Sequence, residues 1–127
     1  MMSKLQPSPL KYFASGCFVE AVNSFNSEEW YKAHDLFEEL WHQASGEIRE
    51  FLQGIIQISV AEYHLENGNA IGSTLLMAEG LNHLDASESL AVGYDLAFLR
   101  NIVRERLFAL QNQTDPSAFP KPYLKSI

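Results

Sequence analysis

The chain reads as an all-α protein: a compact bundle of about five helices, with a central apolar helix over 47–67 and an extended, proline-rich C-terminal tail. Three observations predict it. Apolar residues recur three and four apart through most of the length, which is the period of a helix face rather than of a strand. Between Glu47 and Asn67 they cover nearly the whole circumference, as in a helix with neighbours on most sides. The breaks fall where helices should stop, at Asn67-Gly68-Asn69 and at Pro116, Pro120 and Pro122. A length of 127 residues fits one domain, 1–127, with a core over about 8–112 and a tail over about 113–127.

Pro7, Ser8 and Pro9 carry helix-start chemistry, with Ser8 accepting from an orphan N–H and Pro9 at the first helical position. The first helix then runs to about Phe25, with Leu10, Phe13, Cys17, Val22 and Phe25 inward and Lys11, Glu20 and Asn23 toward water. Ser27 is expected to cap a second helix that carries Glu28 and Glu29 in its first turn and ends near Gly46. Its inward arc is Trp30, Ala33, Phe37, Leu40 and Trp41. On the third, central helix Glu50, Gln53, Gln57 and His64 gather into one polar stripe, while Glu62 falls on the apolar side and needs its own explanation. Asn67-Gly68-Asn69 supplies a C-cap, a turn and an N-cap. A fourth helix follows over Ala70–Leu84, with Leu75, Leu76, Ala78, Leu81 and Leu84 inward and with Gly72 and Gly80 permitting close helix approach. Asp85 to Gly93 reads as a loop and Tyr94 to Gln111 as a fifth helix. The prolines forbid a helix in the tail but let Phe119, Tyr123 and Leu124 pack as an extended strap.

A formal charge of -7 repels phosphate backbones and anionic lipid, so nucleic acid and membrane surfaces are not the expected partners. No apolar run reaches the roughly 18–20 residues needed to span a bilayer. Met1 to Pro9 lacks a basic region followed by an apolar stretch, so a soluble cytoplasmic protein is expected. Cys17 is the only cysteine, which excludes an intrachain disulfide and a four-thiolate zinc site. It reads as a small core residue.

The chemistry-bearing stretch is Trp30-Tyr31-Lys32-Ala33-His34-Asp35-Leu36-Phe37-Glu38-Glu39-Leu40-Trp41, an H-x-x-x-E-x-x-W pattern. Spacings of four and three put His34, Glu38 and Trp41 on one flank of a helix. A short turn around Ser45 and Gly46 makes the second and third helices an antiparallel hairpin, which brings Glu38 level with Gln53 and His34 level with Gln57, to within about one turn. Three readings fit. In the first, these groups satisfy one another and fix the hairpin's register without any ligand. In the second they form a binding site, with Trp41 and Tyr63 as apolar walls and His34, Glu38 and Gln57 orienting a small molecule or a partner side chain. The third is a divalent metal or acid-base site in a hydrolase-like enzyme; it needs about three protein ligands, so His64 or Glu62 would have to converge on His34 and Glu38. His42 and His83 read as surface residues. No nucleophile elbow, phosphate loop or dinucleotide fingerprint is present.

The same stretch, followed by Phe51-Leu52-Gln53-Gly54-Ile55-Ile56-Gln57 and Tyr63-His64-Leu65-Glu66-Asn67-Gly68-Asn69, resembles the DUF309 family, small bacterial and archaeal proteins that share an H-x-x-x-E-x-x-W motif and have no established function. The resemblance spans Phe25 to Leu84, and the three blocks in order are more specific than any one alone. It implies an all-helical domain. It carries over His34, Glu38 and Trp41, with Gln53, Gly54, Gln57, Tyr63, His64 and Gly68 in the accompanying blocks.

The expected function is therefore a binding or interaction module without a cofactor, using His34, Glu38, Trp41, Gln53, Gln57, Tyr63 and His64. Its partner would be a small molecule or a protein. Exposed apolar residues on so small a bundle often pair in a two-fold homodimer. The alternatives are a metal-dependent enzyme with His34, Glu38 and His64 as candidate ligands, and a purely structural network.

Overall fold

Phe18, Ala21, Val22 and Phe25 recur at helical spacing, and burying them defines the inner face of the first helix, α1 (Gly16–Asn26). The computed structural model describes residues 15–90 and 93–127. The helix start expected at Ser8 and Pro9, and the inward Leu10 and Phe13, lie outside the described residues. Within them Ser15 is the N-cap, its side chain accepting from the Phe18 N–H. Cys17 is exposed, contrary to expectation. The apolar face runs through Phe18 and Ala21, about 100° around from Cys17.

Ser27 ends α1 instead of starting the next helix. Its N–H donates to Asn23 O, the N–H of Glu29 reaches back to Ser24 O at 2.9 Å, and Glu28 takes the left-handed conformation at φ 61°. This is the six-to-one closure that commonly ends helices. The second helix, α2 (Trp30–Gln43), thus begins two residues later than a Ser27 cap implies, with Glu29 as a cap that makes no side-chain bond. Trp30, Ala33 and Phe37 are buried while Leu40 and Trp41 are only partly so. Phe25 stacks edge-on against Trp30 at 5.1 Å and against Phe37 at 6.2 Å, locking α1 to α2.

The central helix, α3 (Gly46–Glu66), lies one residue earlier at each end than the 47–67 read from sequence, and it packs against α2 on one side and α4 (Ala70–Ala86) on the other. Its crossing with α4 is set by two glycines. A Cβ on Gly80 would lie 3.0 Å from Gly54 O and 2.8 Å from Ile58 Cδ1; one on Gly54 would lie 3.0 Å from Gly80 O. The backbones touch where both side chains are missing. Gly72 has another role, since a Cβ there would strike Asn69, whose side chain caps α4 by accepting from the Gly72 N–H at 2.9 Å. Met77, Gly80, Leu81 and Leu84 form the buried face of α4 together with Ser73. Leu75, expected inward, is 64 % exposed because it sits two positions from Met77, on the far side of the helix.

Helix α4 continues to Ala86, shortening the expected loop, and α5 (Leu96–Gln111) begins two residues after Tyr94 with Asp95 as its N-cap. Asp85 ties the two helices together through Arg104 at 2.9 Å. The tail holds one turn of 3-10 helix at Pro116–Ala118, where a proline at the helix start costs nothing, and is otherwise extended. Asp115 accepts from the Ser117 N–H, which holds its carboxyl below the usual range. Leu124 is buried and Phe119 partly so, as a strap requires; Tyr123 faces out instead, consistent with the alternation of an extended chain.

Asn26 fastens this strap in the manner of a strand partner. Its Nδ2 donates to Leu124 O at 2.9 Å and its Oδ1 accepts from the Leu124 N–H at 2.8 Å. Beyond it, Tyr94 and Ser126 form an isolated antiparallel bridge. Asn26→Ala is expected to cost about 1–2 kcal/mol by orphaning two partly buried backbone groups, with the loss read in a denaturant melt.

The sequence left Glu62 unexplained, and Arg106 explains it. Both are 2 % exposed, and the guanidinium meets the carboxylate through two bonds of 2.7 Å, from Nε and from Nη2. The Nη1 of Arg106 donates to Pro116 O and Phe119 O, both at 3.1 Å, and to Pro120 O at 3.4 Å. One arginine thus joins α3, α5 and the strap. Burial pushes the Glu62 carboxyl above its usual range, against the opposing pull of Arg106.

Candidate functional site

Amphipathic α2 places Phe37 inward and leaves the His34–Glu38–Trp41 flank at the margin with α3. His34 is half-buried there. Its Nε2 lies 3.2 Å from Glu38 Oε2, one turn on, and its Nδ1 lies 3.1 Å from Asp35 Oδ1. A neutral imidazole can donate to only one of these acids, whereas the protonated ring can serve both. Asp35 and Glu38 are well exposed, so the acidic side of the cluster faces water.

One aromatic ring lies against the imidazole, and a second lies against the first. Tyr31, one turn before His34, has its ring 5.5 Å from the imidazole and 5.3 Å from the ring of Tyr63 on α3. Both tyrosines are exposed, Tyr31 by 57 % and Tyr63 by 38 %. Behind them the buried Trp30 donates through Nε1 to Glu66 Oε2 at 3.1 Å, anchoring the start of α2 to the end of α3. His64 sits beside Tyr63 with its ring 6.4 Å away. Among the described residues no three His, Cys, Asp or Glu side chains are placed to hold a metal ion, so the His34, Glu38 and His64 set is not assembled.

The expected contacts across the hairpin are replaced by others. Gln57 Nε2 donates to Glu79 Oε2 on α4 at 3.1 Å rather than to His34, and Gln57 Oε1 is buried without a partner among the described residues. Gln53 does not bond to Glu38. It lines a separate cleft with Trp41, Arg49, Glu50 and His83. The polar stripe of α3 therefore leans toward α4, because α3 and α4 approach closely at Gly54 and Gly80, immediately beside these amides.

Trp41 lies two turns beyond His34 and belongs to that cleft. Its indole carries the Arg49 guanidinium 3.8 Å from the ring centroid. His83, expected as a plain surface residue, joins Glu50 through Nδ1 and bridges α4 to α3. His42, expected in solvent near the helix end, is exposed in the last turn of α2. Sequence reasoning missed Tyr31, Arg49 and His83 as members. Tyr31 was within reach of the helical period, being three before His34, whereas Arg49 and His83 meet their partners only through helix pairing.

Residues 18–76 match the family model of DUF309, described as a domain of unknown function. The matched stretch contains all three sequence blocks, so the resemblance holds for this part of the chain. No curated protein matches. No helix among the described residues is long and apolar enough to cross a membrane.

Proposed function

We propose that this protein is a binding module rather than an enzyme, and that it recognises its partner on the α2–α3 surface around His34 and Glu38. The observation that carries this is a half-buried imidazole with an acid at each nitrogen, with the exposed ring of Tyr31 against it and that of Tyr63 against Tyr31. Such a surface offers an apolar, π-rich contact beside fixed polar groups, which is how small-molecule and side-chain sites gain orientation. Tyr31 and Tyr63 supply the contact area; His34 and Glu38 fix a polar group of the ligand. His64, whose ring lies 6.4 Å from that of Tyr63, extends the surface along α3, whereas Trp41 and Gln53 line the separate cleft and Gln57 turns to Glu79. The partner is a small molecule or a protein segment bearing a donor group beside an aromatic or aliphatic body.

Ligand-observed NMR with a fragment collection of aromatic amines and amides tests this directly. Fragments that bind the native chain should bind His34→Ala about tenfold more weakly, the worth of one charge-assisted hydrogen bond. A set of binders indifferent to both His34→Ala and Tyr63→Ala would place recognition elsewhere.

Stability distinguishes this reading from a purely structural network. Glu38 is about half exposed, and exposed pairs of this kind contribute less than about 1 kcal/mol. Glu38→Gln is therefore expected to melt within a few degrees of the native protein while losing fragment binding. A cost of about 3 kcal/mol would instead mark the cluster as a structural brace.

A further inference from the structure

A second site lies about two turns from His34, where the end of α2, the start of α3 and the last turns of α4 border an open cleft of about 350 Å³ lined by Trp41, Gly46, Arg49, Glu50, Gln53 and His83. Its two basic groups are held in place but not used up. Arg49 is fixed by its stacking on Trp41 and by Nη1, which donates to Ala44 O at 3.3 Å and to Trp41 O at 3.5 Å, the carbonyls at the end of α2. A guanidinium carries five N–H donors, and those on Nε and Nη2 have no partner among the described residues. Arg100, Arg104 and Arg106 each face a carboxylate; among the described residues Arg49 does not. Across the cleft, Glu50 is engaged by His83 Nδ1, which leaves Nε2 of that ring without a partner among the described residues. The acid of the cleft thus has a hydrogen-bond partner, and the guanidinium has no acid partner among the described residues.

We propose that this cleft binds a small organic carboxylate. The carboxylate meets the free N–H edge of Arg49, whose planar fork suits two parallel hydrogen bonds to a planar oxyanion. When the His83 ring carries a proton on both nitrogens, Nε2–H donates to the same group while Nδ1–H remains on Glu50. Gln53 supplies an amide, and Trp41 provides a flat apolar wall for the body of the ligand. The wall and the volume favour an aromatic or aliphatic acid over bare phosphate, which has no apolar surface to cover the indole. The site is separate from the His34 surface, so either assignment stands if the other fails.

The test is titration of benzoate, benzamide and inorganic phosphate into the full chain, followed by the side-chain N–H signals of Trp41 and Gln53 in heteronuclear NMR. Benzoate should give saturable shifts at both residues, with little response to benzamide at equal concentration. Arg49→Lys keeps the charge but removes the fork, and should weaken benzoate about tenfold. His83→Gln should weaken it several-fold and serves alone if the Arg49 variant does not fold. Arg104→Gln, on the surface of α5, should leave it unchanged. The proposal is overturned by the absence of saturable benzoate shifts, by equal binding of benzamide, by tighter binding of phosphate than of benzoate, or by unaltered affinity in His83→Gln.

Discussion

Arg106→Met is expected to lower the unfolding free energy by about 3–5 kcal/mol near neutral pH, because it leaves the Glu62 carboxylate buried without its partner. It also strips Phe119 O and Pro120 O of their donor and leaves Pro116 O only the Phe119 N–H, so a well-packed methionine cannot restore what is lost. The pH dependence has a definite sign. Burial already pushes Glu62 above the ordinary 4.5, and removing Arg106 removes the main influence that lowers it. A carboxyl raised in the folded state favours folding most where it is protonated: that contribution is fully present below the unfolded value and is lost as pH rises through the folded one. The variant should therefore be most stable in mild acid and weaken toward neutrality. Urea melts between about pH 4 and pH 8 would show this, and a pH-independent deficit would mean that the acid has found another cation. The double change Glu62→Met with Arg106→Met should remove the pH effect but not recover full stability, since Phe119 O and Pro120 O stay without their donor.

The second large effect is expected at the α3–α4 crossing. Gly80→Val places branched carbon where a single Cβ would already stand 3.0 Å from the Gly54 carbonyl oxygen, and that oxygen belongs to a helix backbone that cannot swing aside. The helices must separate, loosening Ile58 and Leu84 around the contact. Overpacking of this kind costs typically 1–3 kcal/mol, and the value here should fall at the upper end because the obstacle is backbone. Gly72→Val should act differently, since the conflict there is with the capping side chain of Asn69 and frays only the first turn of α4. Thermal melts of the two variants side by side separate a crossing defect from a capping defect. A wider gap between α3 and α4 should also disturb the Gln57–Glu79 bond that spans them.

What the sequence made legible was the periodic part of the molecule. The circumference of apolar residues on α3 announced a helix with neighbours on both sides, and the turn signals at Asn67-Gly68-Asn69 placed the start of the next helix at Ala70, though it ends at Ala86 rather than Leu84. The strap followed from three prolines and the apolar residues between them. What failed was local and physical. Ser27 offers the same hydroxyl at the end of a helix as at the start of one, and Glu28 in the left-handed region cannot be read from a residue that rarely adopts it. Cys17 fits the three- and four-residue spacing from Leu10 and Phe13, yet the buried member of the adjacent pair is Phe18, which stands four before Val22.

At the candidate site the same division holds. His34 and Glu38 meet within one helix, where the backbone fixes their spacing, and sequence period was enough to pair them. The partners of Gln53, Gln57 and His83 depend on how α3 rolls between α2 and α4. That roll is set by the missing side chains of Gly54 and Gly80, a packing fact with no signature in the amides themselves. Arg106 escaped notice because it lies 44 positions from Glu62, and a buried pair so distant leaves only the odd placement of one acid as its trace.

The clasp between Asn26 and Leu124 joins positions separated by 98 residues. Closing so large a loop carries an entropic cost that the neighbouring helices, linked by short turns, largely avoid. The strap should consequently dock after the rate-limiting step of folding. Weakening it with Asn26→Ala would then leave the refolding arm of a chevron nearly unmoved and shift the loss into faster unfolding, so this small fastening governs how long the native state lasts rather than how quickly it is reached.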